Sequence, residues 1–139
     1  MPLTQFVIHN WYLFVALVVV LFLLVAAPLN QAIHGVRSVP VSQAVRMVNH
    51  DSALIIDVRE PDEFRSGHIP NAINIPLGSL RSRMGEIEKF RERPLVISCR
   101  TSQRSAKAAM TLRRHDFRSV HILAGGILAW QSENLPTEK

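Results

Sequence analysis

A single cysteine, Cys99, is the only thiol in this chain of 139 residues. One cysteine excludes an intramolecular disulfide and a cysteine-rich zinc site, and with them the stapled secreted scaffold. The six histidines (His9, His34, His50, His68, His115, His121) never fall at a ligand spacing such as i, i+4, so a metal has no support. Aromatic residues make up only 6% of the chain, and no aromatic-interleaved basic motif of a nucleic-acid binder appears. Nucleic acid is therefore not an expected partner.

Charge is also missing, and only from one end. No Asp, Glu, Lys or Arg occurs before Arg37, so all 16 cations and 11 anions, with their net charge of +5, belong to the rest. Hydrophobic residues number 25 in the first 35 positions and 41 in the remaining 104. The chain therefore divides into an anchor over 1–29, a short polar linker over 30–35 containing Gly35, and a domain over 36–136.

From Trp11 to Ala27 all 17 residues are apolar or aromatic. At ~1.5 Å per helical residue they cover roughly 26 Å, and with Phe6–Asn10 roughly 33 Å, against a hydrocarbon core of about 30 Å. A lone segment in lipid has only the helix to satisfy its backbone. Trp11 and Tyr12 suit one interface, and Pro28, Asn30 and Gln31 end the span at the other. A cleaved signal peptide would want a basic start and a shorter apolar run, and a cut after Ala27 would leave Pro28 first. A buried core helix would want a polar face, which this run lacks. The expectation is a single-pass transmembrane helix. Arg37 and Arg46 follow it and nothing basic precedes it, so the domain is expected in the cytoplasm and the amino terminus outside. A lone thiol agrees with a reducing compartment.

Beyond the linker, apolar runs alternate with helical patterns. Ala53–Val58, Leu95–Ser98 and Val120–Leu123 read as buried strands, with weaker strands at Val36–Val39 and Ala72–Asn74. Helices are expected over Gln43–Asn49 with Ser42 as cap, over Pro61–Phe64, over Ser79–Phe90 in one or two pieces around Gly85, over Ser105–His115, and over Ile127–Glu133. Continuous apolar strands alternating with helices imply a parallel sheet covered on both faces, whose sites lie at the carboxyl ends of the strands.

Cys99 occupies such a position, between the strand Leu95–Ser98 and the helix expected from Ser105. In Cys99-Arg100-Thr101-Ser102-Gln103-Arg104-Ser105, backbone N–H groups, the helix dipole and two arginines favour the nucleophilic thiolate and would hold an oxyanion carried on it. The plainer alternative is a buried structural cysteine. A cysteine phosphatase places five residues between cysteine and arginine. Here four intervene between Cys99 and Arg104, a ring better suited to a terminal sulfur than to a phosphoryl group.

Four ordered stretches resemble the rhodanese-homology domain: Asp57-Val-Arg-Glu-Pro-Asp-Glu-Phe64, Gly67-His-Ile-Pro-Asn-Ala-Ile-Asn-Ile-Pro76, Cys99–Ser105 and Gly125-Gly-Ile-Leu-Ala-Trp130. With its anchor the chain resembles the membrane-tethered single-domain rhodaneses of bacteria, which would place it in the inner membrane. The resemblance implies a five-stranded parallel sheet in an α/β/α sandwich. It also implies a sulfurtransferase that carries sulfane sulfur as a persulfide on Cys99, taken from thiosulfate or a persulfide and passed to a thiophilic acceptor. By position, Arg100 and Arg104 would hold the anionic donor, and backbone N–H groups of Thr101, Ser102, Gln103, Arg104 and Ser105 would cradle the outer sulfur. Asp57 and Arg59 would support the loop as an ion pair, and His68 would serve a turn. No cofactor is implied.

Ser102 and Asn71 stand where many members carry glycine. Ser102 lacks glycine's access to positive φ, so mild strain or an altered backbone is expected there, whereas Asn71 tolerates the left-handed region. A second reading is a non-catalytic, membrane-tethered interaction module with a membrane-protein partner. Among the basic residues, Arg81, Arg83, Lys89, Arg91 and Arg93 interleave with Glu86, Glu88 and Glu92 as a solvated face. Arg113, Arg114 and Arg118 form a purer patch, worth about 1 kcal/mol each beside an anionic leaflet.

Overall fold

The strands Arg37–Val39 (β1), Leu54–Asp57 (β2), Ile73–Asn74 (β3), Leu95–Ser98 (β4) and Val120–Leu123 (β5) form one sheet in the order β1-β5-β4-β2-β3. Every pairing in it is parallel. This is a computed structural model that describes residues 2–33 and 36–139, and the side chains of these except 27–33. The chain falls into two compact units, Met1–Ile33 and His34–Lys139.

Parallel strands need crossovers, and the sequence supplies helices between them. The second unit carries α3 (Val41–His50), α4 (Pro61–Arg65), α5 (Leu80–Arg83), α6 (Gln103–Arg114) and α7 (Gly126–Ser132). Alternation along each strand splits its side chains between two cores. Ile56, Leu95, Ile97, Val120 and Ile122 pack with Leu80, Ile87 and the α6 residues Ala108, Ala109 and Leu112 on one face. Ile55, Val96 and Leu123 pack with Ala44 and Met47 of α3 and Ile127 and Trp130 of α7 on the other. The expected parallel sheet with both faces covered is what forms.

Several boundaries differ for local reasons. Ser42 does not cap α3; the helix starts at Val41 behind an extended Pro40, and Ala44 N–H donates to Pro40 O at 3.0 Å. The stretch 79–90 is α-helical only over α5, flanked by 3₁₀ turns at Leu77–Ser79 and Met84–Phe90. Helix α6 begins at Gln103, two residues before its expected start at Ser105.

In the first unit, α1 (Leu3–His9) and α2 (Trp11–Ile33) are separate helices. Among the described residues no single helix is both long and apolar enough to cross a membrane; Leu3–His9 and Trp11–Ala26 together have the length and composition but are bent by 71°. The break falls at Asn10, whose side-chain amide and backbone N–H both donate to Phe6 O. Asparagine satisfies backbone groups locally in this way and ends helices. The expected single transmembrane helix built on Trp11–Ala27 is thus not found as one helix among the described residues. At the other end, α2 continues through 28–33, where the sequence predicts an end to the span and a linker. Residues 34–35 of that linker lie outside the described residues.

Candidate functional site

The site grows from the middle of the sheet. Strand β4 lies between β5 and β2, and all four of its residues are buried. It is paired to β2 as far as Asp57↔Ser98, and Val58 N–H donates to Ser98 O at 2.9 Å. The segments Val58–Arg59 and Cys99–Arg100 therefore leave the sheet side by side at its carboxyl end, where α/β sheets bind ligands.

The Cys99 loop presents its two edges differently. Its first two carbonyls are occupied: Cys99 O accepts from Ile127 N–H at 2.8 Å, and Arg100 O from Leu128 N–H at 3.3 Å. Its amides are not. Among the described residues, no backbone N–H from Arg100 to Ser105 donates to another backbone or side-chain group. Free donors at the start of the twelve-residue α6 are suited to a negatively charged atom.

Gly126 makes this arrangement possible. A Cβ there would collide with Thr101 O and Cys99 O and lie 2.7 Å from the Arg100 carbonyl carbon, and its φ is +59. Only glycine permits both the backbone conformation and the contact. The Gly125-Gly126 pair thus lets the start of α7 brace the cysteine loop from behind.

Cys99 is 1% exposed and packs in the core beneath α6. Ser105 is fully buried in the first turn of α6, and its hydroxyl has no hydrogen-bond partner among the described residues. Arg100 is exposed, and its side chain has no hydrogen bond or ion pair among the described residues. Ser102 precedes α6 with φ −158 and ψ −1, so it does without the positive φ that glycine would allow there. Asn71 does enter the left-handed region at φ 65, and its N–H donates to Glu138 Oε1 at 3.1 Å.

Asp57 and Arg59 form a buried ion pair that also reaches the turn after α4. Arg59 Nη2 donates to Asp57 Oδ2 at 2.8 Å and to Gly67 O at 2.8 Å, and Nε donates to both Asp57 oxygens at 3.0 Å. With side chains 7% and 1% exposed, this pair would leave a buried charge if either member were removed, a loss of about 3–5 kcal/mol. Asn74 Nδ2 ties the same turn down by donating to Asp57 O and Arg59 O.

Arg104 carries a bidentate ion pair. Its Nη1 and Nη2 donate to the two oxygens of Glu63 at 2.7 and 3.0 Å. Glu63 lies in α4, where Pro61 begins the helix and Glu63 Oε1 also accepts from Glu60 N–H at 3.3 Å. The Arg104 guanidinium holds the Glu63 carboxyl well below its ordinary range, at about 2, and Glu63 in turn raises Arg104. His68 stacks on Phe64 at 3.6 Å, accepts from Glu138 N–H through its backbone carbonyl, and lies 3.3 Å from Glu138 Oε1. It fastens the carboxyl-terminal segment to the turn after α4.

The structure thus sets Arg59 and Arg100 on one depression, leaves the loop amides unbonded among the described residues, and turns Arg104 toward a carboxylate. Sequence reasoning misses Glu63, Gly126 and Glu138. Gly-Gly directly after a strand could have pointed to Gly126, since paired glycines there mark a close backbone approach. Nothing local marks Glu63 or Glu138 as partners of distant residues.

A doubly covered parallel sheet with one thiol in the turn between its central strand and the next helix defines an α/β domain built around a cysteine loop. Residues 40–133 match the Rhodanese-like domain, and the chain belongs to that family. It is 28% identical over 133 residues to the uncharacterized protein YibN of Escherichia coli strain K12, covering 95% of this chain and 93% of that one. It is 34% identical over 98 residues to the thiosulfate sulfurtransferase GlpE of Shewanella oneidensis, covering 70% of this chain and 95% of that one. Among solved structures, a rhodanese-related protein from Thermoplasma volcanium superposes with a TM-score of 0.66 at 31% identity, over 73% of this chain and 97% of that one.

Proposed function

We propose that this protein is a sulfurtransferase that takes a sulfane sulfur onto Cys99 as a persulfide and passes it to a thiophilic acceptor. The carrying observation is the Cys99 loop, whose amides from Arg100 to Ser105 are free among the described residues while the carbonyls of Cys99 and Arg100 are bound. Family membership and the relative named as a thiosulfate sulfurtransferase support the same reading.

In this mechanism the Cys99 thiolate attacks the outer sulfur of the donor, and the donor's remaining fragment leaves with the bonding electron pair. The new S–S bond carries its negative charge on the outer sulfur, within reach of the free N–H groups of Thr101 to Ser105. Preorganised amides of this kind stabilise charge without reorganising. Arg100 meets the anionic donor at the mouth. An acceptor thiolate or cyanide then attacks the outer sulfur and restores the Cys99 thiolate. Sulfur moves with no net oxidation, so no cofactor is required.

We also propose that residues 11–27 tether the domain to the inner membrane of a bacterium, with the domain in the cytoplasm. Large apolar side chains along α2, such as Trp11, Leu17, Phe22 and Leu24, are 54–70% exposed. Exposed apolar surface on this scale calls for lipid or a partner. Arg37 and Arg46 after the helix favour the cytoplasmic placement. One observation favours the interaction-module reading instead, namely the burial of Cys99 at 1% exposure.

Intact-mass measurement after incubation with thiosulfate, a polysulfide or 3-mercaptopyruvate separates the two. The sulfurtransferase reading expects one added sulfur on wild type and none on Cys99→Ser. No adduct with any of the three donors would overturn it.

A further inference from the structure

The two arginines of the Cys99 loop are electrostatically unequal. Arg104 commits two N–H groups to Glu63, at 2.7 and 3.0 Å. Arg59 is committed to Asp57 in the same way. Both pairs are neutral as units, which leaves Arg100 as the one uncompensated cation of the loop among the described residues. Lys107 stands on α6 one turn beyond Arg104, outside the loop.

The surroundings of Arg100 have a matching character. It lines an open depression with Arg59, Glu63, Gly67, Leu128 and Gln131. Leu128 is 45% exposed there, an apolar surface beside a single positive charge. A compact dianion gains little from such a wall. An organic group bearing one charged sulfur fits it.

Donor charge then matters. With an organic persulfide, the Cys99 thiolate attacks R–S–S⁻ at the outer sulfur, forming Cys99–S–S⁻ and releasing R–S⁻, so two negative charges share the site throughout. With thiosulfate, the same attack on S–SO₃²⁻ forms Cys99–S–S⁻ and releases SO₃²⁻, and three negative charges share it. One free cation meets the first case better than the second. Arg104 belongs to the same loop as Cys99, and negative charge on Cys99 or Asp57 raises it.

We propose that Glu63 is a specificity-determining residue: by neutralising Arg104 it sets the site for organic persulfides of single negative charge and against the thiosulfate dianion. This rests on Cys99 being the persulfide carrier. Glu63 lines the same depression as Arg100 and acts there by the charge of Arg104 that it withholds.

The test uses the full chain in detergent and two probes, thiosulfate and 2-hydroxyethyl persulfide. The readout is the ratio of their second-order rate constants for loading Cys99. Glu63→Gln frees Arg104 and is expected to shift the ratio toward thiosulfate by on the order of tenfold, as one added unit charge near the reacting atoms would. Arg104→Gln leaves Glu63 uncompensated and shifts it the opposite way, and Glu63→Asp keeps the wild-type ratio. Shifts of opposite sign are not produced by simple loosening of the loop, and Arg104→Gln reads the proposal if Glu63→Gln does not fold. An unchanged ratio, or shifts in the same direction, overturns the role of Glu63 while leaving sulfur transfer intact. Failure of wild type to load with either probe overturns the transfer reading itself.

Discussion

Gly126 and Glu63 show how single residues decide what the cysteine loop can do. Gly126 works by lacking a side chain: the carbonyl oxygens of Thr101 and Cys99 close over its Cα and leave no room for even a methyl group. Gly126→Ala is expected to destabilise the domain by about 3 kcal/mol, the upper range for overpacking, and to slow loading of Cys99. Urea unfolding with donor kinetics checks this, and wild-type stability in the variant would contradict it. Glu63 works through charge. Because Arg104 depresses its carboxyl from 4.5 to about 2, the pair contributes stability that is present above pH 4.5. That contribution is lost as pH falls through about 2. The stability difference between wild type and Glu63→Gln is therefore expected to stay constant above pH 4.5 and shrink toward pH 2 in acid-unfolding curves.

At the scale of elements, the sheet positions the chemistry and the helices tune it. Strand β4 is legible in the sequence because Leu95-Val-Ile-Ser98 follows Pro94 as an unbroken apolar run, and a strand that is buried on both faces reads that way. The loop after it is legible because every residue that forms it is contiguous. The partner of Arg104 is not, since Glu63 lies 41 positions earlier and meets it only when α4 is folded over the sheet end. The break at Asn10 escapes notice because one polar residue hardly alters the mean hydropathy of an apolar stretch, while its side chain captures Phe6 O. Strand β5 carries a pH-dependent element of its own. His121 pairs in register with Arg37 of β1, and its Nδ1 is buried without a partner among the described residues. Burial, and then Arg37, push its imidazole below the ordinary 6.5. The unfolded chain takes up that proton first, so native stability is full above pH 6.5 and declines as pH falls below it. His121→Gln is expected to flatten that decline in thermal melts recorded across the range.

At the scale of the molecule, the chain falls into two units, Met1–Ile33 and His34–Lys139. The second holds both hydrophobic cores and the whole cysteine site. Its carboxyl-terminal segment closes back on it, with His68 and Glu138 exchanging backbone hydrogen bonds at 2.9 Å and Trp130 Nε1 donating to Pro136 O at 2.9 Å. A soluble small-molecule enzyme gains nothing from an apolar helix, so the proposed tether and the thiol belong to one account: sulfur carried on a cysteine beside a membrane. The most direct test is the mass of the Cys99 peptide from cells lysed straight into an alkylating agent. The account predicts a population carrying one additional sulfur between Cys99 and the alkyl group. Finding only the directly alkylated thiol, in cells supplied with a sulfane donor, would contradict it.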